Sequence, residues 1–217
     1  TAWRVLWRGV LMAISYPLTM PTNFGMSKIE LRAVNAVAYS QSPFTFAGQV
    51  HAYAGQTWQA DITLPNMKRD YAEEWVAFLV ALRGHFGSFY LSDPLGKVAR
   101  GTPTGTPVVK GASQLGGTFT LDGATPSVTG WLKAGDYIQL GSSSGSRLHK
   151  VLLSADSDGS GNVTLELWPH IRTAPTDNTA VIVSNASGLF RLASNEQAWS
   201  INEISSYGIA FGAMEVI

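Results

Sequence analysis

The sequence predicts a mainly β protein with one amphipathic helix, in which a β-sandwich-like core domain carries an inserted small β-barrel or sandwich domain. Residues that form turns are frequent, because the 217 residues include 22 glycines and 10 prolines, and these residues separate regular elements. Between the turns lie short runs in which apolar and polar residues alternate, which is typical of strands. One stretch, residues 68–83, instead has the apolar spacing of a helix.

The first strands are predicted from strict alternation. The run KIELRA at 28–33 places charged residues on one face and apolar residues on the other, which indicates a half-buried strand. Residues 48–65 predict a β-hairpin whose turn lies near Ala54-Gly55-Gln56. After that turn we expect four apolar residues to face inward, namely Trp58, Ala60, Ile62 and Leu64.

The helix at 68–83 is followed by a further strand. Acidic residues crowd its first turns, which suits the helix dipole, and Gly84 is placed to end it in a left-handed conformation. We expect it to pack across a sheet, and the run GSFYLSDP at 87–94 predicts a strand that ends in a proline turn. The apolar stripe of the helix consists of Tyr71, Trp75, Phe78, Leu79 and Leu82.

Two breaks in composition predict the domain organisation. Gly, Thr and Pro dominate residues 100–107, which indicates a linker, and a second polar break lies at 184–188. We therefore expect an inserted β domain at 102–186 and a core domain formed by 15–101 together with 187–217. The alternative is two domains in simple succession.

Residues 1–14 predict an N-terminal arm or short helix. Trp3 and Trp7 lie at helical spacing on an apolar face, so this segment could dock on a neighbouring subunit. The alternative is that residues 1–11 are an upstream extension that does not belong to the natural product.

Charge and composition narrow the classes of function. Only 14% of the residues are charged and the formal net charge is zero, which does not favour sequence-specific nucleic-acid binding or attraction to a membrane surface. No apolar run approaches the ~18 residues that span a bilayer, so no membrane span is predicted. The absence of cysteine excludes disulfides and thiolate metal sites.

The run DSDGSGN, beginning at Asp156, partly matches a calcium-binding loop. Oxygen-bearing residues occupy positions 1, 3 and 5 and glycine occupies position 6, as that loop requires. However, position 12 is Leu167 instead of a bidentate Glu, with Glu166 one residue early, and strands are predicted where helices should flank the loop. We interpret this run as a hairpin turn.

No catalytic arrangement is evident in the sequence. The match to G-x-S-x-G at 141–145 has predicted strands on both sides, whereas a nucleophile elbow needs a helix after it. His51 and His149 are predicted to be exposed on their strands, and the four histidines do not form a metal-binding motif. We therefore predict no cofactor and no enzymatic activity.

The seven tryptophans are candidates for interfaces or sugar contacts. Trp58 and Trp75 fall on apolar faces and are predicted to be core residues. The candidates for an interface or glycan contact are Trp3, Trp7, Trp131, Trp168 and Trp199.

Several stretches together resemble tail proteins of long-tailed bacteriophages, most closely a distal tail protein. The resemblance extends from about residue 15 onward and depends on order: a strand hairpin, Leu-Pro, one helix ending in Arg-Gly, and a strand ending in Asp-Pro. The stretches are YPLTMPTN at 16–23, the run from QSPFTF to LSDP at 41–94, LKAGDYIQLG at 132–141, LWPHIRTAP at 167–175, FRLASNEQAWS at 190–200 and YGIAF at 207–211.

The resemblance implies a structural role in the virion. Such proteins form a hexameric ring at the distal end of the tail, in contact with the tail tube protein, the baseplate hub and other tail-tip proteins, after synthesis in the host cytoplasm. Residues 102–186 would face outward. One alternative is a carbohydrate- or receptor-binding module with 102–186 as its binding head, and another is a hydrolase of cell-wall polysaccharide.

Overall fold

A computed structural model describes residues 14–23, 25–203 and 205–217, and within this part of the chain it contains twelve strands, one α-helix and one 3-10 turn. The elements are β1 (Lys28–Gln41), β2 (Gly48–Thr63), β3 (Met67–Lys68), α1 (Arg69–Ala81), β4 (Phe89–Leu91), β5 (Gly105–Val109), β6 (Gly116–Ala124), β7 (Tyr137–Leu140), the 3-10 turn (Ser143–Gly145), β8 (Arg147–Val151), β9 (Val163–Ile171), β10 (Gly188–Leu192), β11 (Trp199–Ile201) and β12 (Ser206–Glu215). Among the described residues, strands account for 45% and helix for 8%, which confirms the predicted mainly β class.

The first sheet has the strand order β1-β2-β12-β10-β4, and β3 and β11 also pair with β12. The late strand β12 therefore lies in the middle of the sheet, between the early strand β2 and β10. It alternates buried and more exposed residues, as a strand with one face on the core must. Helix α1 packs on this face, where the rings of Trp75 and Phe211 have centroids 6.4 Å apart.

The second sheet has the order β5-β6-β9-β8-β7 and its own apolar core. Phe119, Trp131 and Leu165 lie in that core and are completely buried. All five strands of this sheet fall between Gly105 and Ile171, whereas β10 to β12 pair in the first sheet. The division of the chain into a core domain and an insertion at 102–186 stays a prediction, with which this strand order is compatible.

The helix was predicted with two inaccuracies. It begins at Arg69 and ends at Ala81 instead of covering 68–83, and Tyr71 is 46% exposed. The buried face is centred on Ala72 and Leu79, so Tyr71 lies at its margin and not in the apolar stripe. Gly84 is left-handed as predicted, with a φ of 67°, but Arg83, with a φ of 53°, is the first left-handed residue after the helix.

The predicted hairpin turn near Ala54-Gly55-Gln56 is wrong. Strand β2 runs through these residues without a reversal, and the chain turns instead at Ser42–Ala47, after Gln41 has paired with Gly48. Gly55 lies opposite Ala36 at an irregularity in the pairing, where a Cβ on Gly55 would approach the Ala36 Cβ to 3.0 Å. The glycine therefore permits a close approach of two strands, which is a common reason for glycine within a strand.

The predicted inward residues of β2 are confirmed, because Trp58, Ala60 and Ile62 are each at most 3% exposed, as is Leu64 beyond the end of the strand. Among the described residues, no helix is long and apolar enough to cross a membrane.

Candidate assembly surface

The hairpin of β1 and β2 extends well beyond the first sheet. The two strands pair from Lys28 and Thr63 to Gln41 and Gly48, but β12 pairs with β2 only from Thr63 to Gln59. Residues 34–56, which we call the distal ribbon, therefore form a two-stranded ribbon with a turn at its tip. Nearly every residue of the distal ribbon is exposed.

One face of the distal ribbon is apolar. Val37 pairs with Ala52 and Tyr39 pairs with Val50, and paired residues of an antiparallel ladder project from the same face. Val37, Tyr39 and Val50 are 52%, 61% and 67% exposed. The tip adds two further aromatic side chains, since Phe44 is 90% and Phe46 74% exposed.

The distal ribbon contains no charged residue of the Asp, Glu, Lys or Arg type. The nearest such residues in the sequence are Arg32 and Asp61, which form an ion pair across the two strands below the ribbon. Strand β1 lies at the edge of the first sheet, so its outward backbone groups have no strand partner within the described residues. Edge strands of soluble proteins are usually protected by charges, proline or bulges, and this apolar edge lacks charges.

Contacts with the second sheet hold the base of the distal ribbon. The indole N–H of Trp168 donates to Oδ1 of Asn35 at 2.7 Å, and the backbone N–H of His170 donates to Oε1 of Gln56 at 2.7 Å. The Trp168 ring also meets the ring of Trp58 edge to face, with centroids 4.5 Å apart. The ribbon is therefore anchored at one end, and its free end carries the exposed apolar residues.

The tryptophans predicted to form surface contacts occupy different environments. Trp131 is completely buried and its indole N–H donates to the Thr104 carbonyl at 2.9 Å, so its interpretation as a glycan contact is wrong, because its ring forms part of the second core. Trp168 is half-buried between the two sheets, whereas Trp199 on β11 is 39% exposed. Trp3 and Trp7 lie outside the described residues.

The predicted exposure of the two strand histidines is confirmed for one and wrong for the other. His51 is exposed on the distal ribbon, but His149 on β8 is only 4% exposed. Both faces of β8 are covered, because Leu148 packs in the first core while His149 points the other way. Burial lowers the pKa of His149 to about 4, although its Nδ1 contacts the Pro169 carbonyl at 2.7 Å.

The two remaining motifs are turns between strands, as predicted. The G-x-S-x-G match lies between the antiparallel strands β7 and β8, so the helix that an elbow requires is replaced by a strand. In the calcium-like run, the Asp158 carboxylate accepts the N–H groups of Ser160 and Asn162, both at 2.8 Å. The side-chain N–H of Asn162 also donates to this carboxylate, at 2.7 Å, and makes the largest contribution to lowering the pKa of Asp158. The carboxylate oxygens are therefore directed to the turn's own donors.

Sequence reasoning missed the distal ribbon as a functional candidate. The strand predicted at 28–33 continues to Gln41, and the alternation of small and apolar residues after Ala33 could have revealed this. The stronger signal was the 28-residue interval without Asp, Glu, Lys or Arg between Arg32 and Asp61. Compared with protein-family models and with curated protein sequences, the chain matches none.

Proposed function

We propose that the protein is a structural subunit of a bacteriophage tail, and that several copies form a ring at the distal end of the tail. The observation that carries this proposal is the distal ribbon, which exposes an uncharged apolar face and an open strand edge. An isolated two-stranded hairpin is marginally stable in water, so a ribbon of this length is expected to gain stability from a neighbour.

A second copy of the chain is the occupant that the charge pattern favours. When two copies of the chain associate, the same surface or adjacent surfaces of each copy come into contact. Like charges at such a contact oppose binding. The distal ribbon has no such charge to oppose it. Apolar side chains with few charges are also characteristic of the buried centre of subunit interfaces.

The ring and its location are separate parts of the proposal. A closed ring, hexameric by resemblance, would connect the tail tube protein to the baseplate hub and tail-tip proteins. The low fraction of charged residues, 14%, and the anchored base of the ribbon support an assembly role. The order of the sequence stretches described above supports a phage tail.

The assembly is tested by a charge placed on the apolar face of the ribbon. Purified wild-type protein is expected to give one closed oligomer by light scattering and native mass spectrometry, whereas Val50→Lys is expected to give monomer. Val98→Lys provides the matched control, because Val98 is 76% exposed outside the ribbon. A wild-type monomer at concentrations up to about 100 µM, within the usual range of weak interfaces, would contradict the ring.

The location is tested by electron microscopy of virions labelled with an antibody against the chain. Label at the distal end of the tail is expected. Label elsewhere on the particle, or its absence from particles that assemble normally, would contradict the tail assignment even if the purified chain forms a ring.

A further inference from the structure

A cavity of about 280 Å³ lies where the second sheet meets the C-terminal end of the first. Its wall is formed by the end of β7, by β8, by the end of β9 with the loop that follows it, and by Ile217 after β12. Two arginines, Arg147 and Arg172, reach this wall, together with His149 and His170. None of the motifs considered above accounts for this grouping.

Arg172 contacts the protein through both of its Nη atoms. Its Nη2 lies 3.0 Å from Oε1 of Glu215, and its Nη1 donates to the Gln56 carbonyl. The Glu215 side chain is only 1% exposed, and its second oxygen accepts the Trp58 backbone N–H at 3.1 Å. This ion pair therefore connects the two sheets, and Glu215 already compensates the charge of Arg172.

Arg147 differs because no carboxylate of the described residues lies within ion-pair distance of it. Its Nη1 donates to the carbonyls of Ser146 at 3.0 Å and Ser144 at 3.4 Å, while its Nε and Nη2 have no acceptor within the described chain. The guanidinium is half-buried, and burial together with nearby Arg172 lowers its pKa, against the attraction of Glu215. A partly desolvated cation without a counter-ion is unfavourable, and an anion in the cavity would compensate for this.

The side-chain charge at the cavity suits a single negative charge. Apart from the histidines, the charged side chains of the wall are the guanidiniums of Arg147 and Arg172, and Glu215, buried behind the wall, compensates that of Arg172. One positive side-chain charge remains, and His149 is neutral near pH 7 because burial lowers its pKa to about 4. A carboxylate matches this charge and the two parallel donors of a guanidinium fork. A phosphate dianion would leave one negative charge unmatched.

The rest of the wall suits a short aliphatic group. Leu140, Ile171, Pro175 and Ile217 contribute apolar side chains, and small-molecule sites are generally apolar with a few polar groups that orient the ligand. At about 30 Å³ for each water molecule, the volume corresponds to about nine waters. This is enough for a group of the size of one amino-acid residue.

We propose that this cavity binds a carboxylate on a short aliphatic group, with the guanidinium of Arg147 as its bidentate partner. The carboxylate could belong to a free short-chain acid or to the terminal residue of a polypeptide. The proposal does not depend on the assembly role of the distal ribbon.

Calorimetric titration of the full chain tests the proposal with five probes: isovalerate, N-acetyl-leucine, N-acetyl-alanyl-leucine, N-acetyl-leucine amide and inorganic phosphate. Saturable binding of at least one carboxylate is expected, with binding about tenfold weaker or absent for the amide, since a charged hydrogen bond contributes about 1.5 kcal/mol or more. If the peptide binds tighter than isovalerate, the source is a polypeptide terminus; equal or weaker peptide binding indicates a free acid.

Variants connect the binding to the cavity. Arg147→Gln is expected to weaken carboxylate binding about tenfold, and Arg147→Lys, which keeps the charge but not the fork, is expected to lie between this variant and wild type. Arg69→Gln is the matched control, because Arg69 is exposed on α1, and it should keep wild-type affinity. Circular dichroism establishes that each variant is folded.

Three results would overturn the proposal. The first is that no carboxylate binds at ligand concentrations up to about 10 mM. The second is that phosphate binds as tightly as the carboxylates. The third is that a folded Arg147→Gln protein binds carboxylates with wild-type affinity.

Discussion

Within the β1–β2 hairpin, the half that adjoins β12 and the half that forms the distal ribbon have the same antiparallel pairing and opposite burial. Near β12, alternate residues are buried, and Ile62 is 1% exposed. In the distal ribbon both faces are exposed, and Val50 is 67% exposed. Backbone pairing is therefore not what buries a strand, because burial requires a third strand and a layer such as α1 packed on the face.

The largest expected difference between these halves concerns the core. Ile62→Ala should lower the free energy of unfolding by about 2–5 kcal/mol, because it leaves a cavity between the sheet and its covering layer. Val50→Ala should change it by about 0.5 kcal/mol or less, as is usual for exposed positions. Urea denaturation of unassembled protein measures both values, and equal losses for the two variants would show that the ribbon is packed within the subunit.

A second contrast concerns pH, because β8 is covered on both faces and the distal ribbon on neither. The pKa of His149 is lowered on folding from 6.5 to about 4, so between these values the unfolded chain binds more protons than the folded one. The free energy of unfolding should therefore fall as the pH decreases through this interval, by at most about 3 kcal/mol from this residue.

Replacing His149 isolates this contribution from the carboxyl groups that titrate in the same range. In His149→Gln, the decline in stability between pH 7 and pH 4 should be shallower than in wild type, whatever the variant's stability at pH 7. Denaturation curves at a series of pH values measure the difference. Parallel declines in the two proteins would contradict the inferred burial of a neutral imidazole.

A third and smaller effect concerns the junction between the sheets. Glu215→Gln leaves the buried end of Arg172 without its counter-ion, so the free energy of unfolding should fall by about 1.5–3 kcal/mol, as for other hydrogen bonds to charged groups. Glu30→Gln is the control, because Glu30 pairs with Lys28 on the exposed side of β1 and exposed pairs contribute little. Equal effects of the two substitutions would show that Glu215 is not desolvated.

The part of the fold that the sequence could predict is the part where local pattern and tertiary contact agree. The alternation around Ile62 and the stripe through Trp75 and Leu79 correctly identified core residues. In contrast, His149 follows the alternation of an exposed position, yet the opposite face of its strand is also covered. Local periodicity reports how faces differ, and it cannot report that both faces of a strand will be covered.

The candidate surface was less predictable, for a related reason. Ala54-Gly55-Gln56 has turn-forming composition, but the reversal occurs at Ser42–Ala47, and Gly55 instead permits the close approach of Ala36. A glycine in a strand has several structural uses, and only the partner strand distinguishes them. The absence of charge from the ribbon was visible in the sequence, whereas its projection beyond β12 depends on where that later strand ends.

The smallest expected effect concerns two turns between strands, the tip of the distal ribbon and the turn before β9. Backbone bonds close both turns, between Ser42 and Ala47 at the tip of the distal ribbon and between Asp158 and Asn162 before β9. The second turn also uses the Asp158 carboxylate. Since Asp158 already accepts the N–H groups of Ser160 and Asn162, a chelator such as EDTA should leave the melting temperature unchanged. A fall of several degrees that calcium restores would show instead that the carboxylate binds a cation, and the DSDGSGN run would then be a metal site despite its flanking strands.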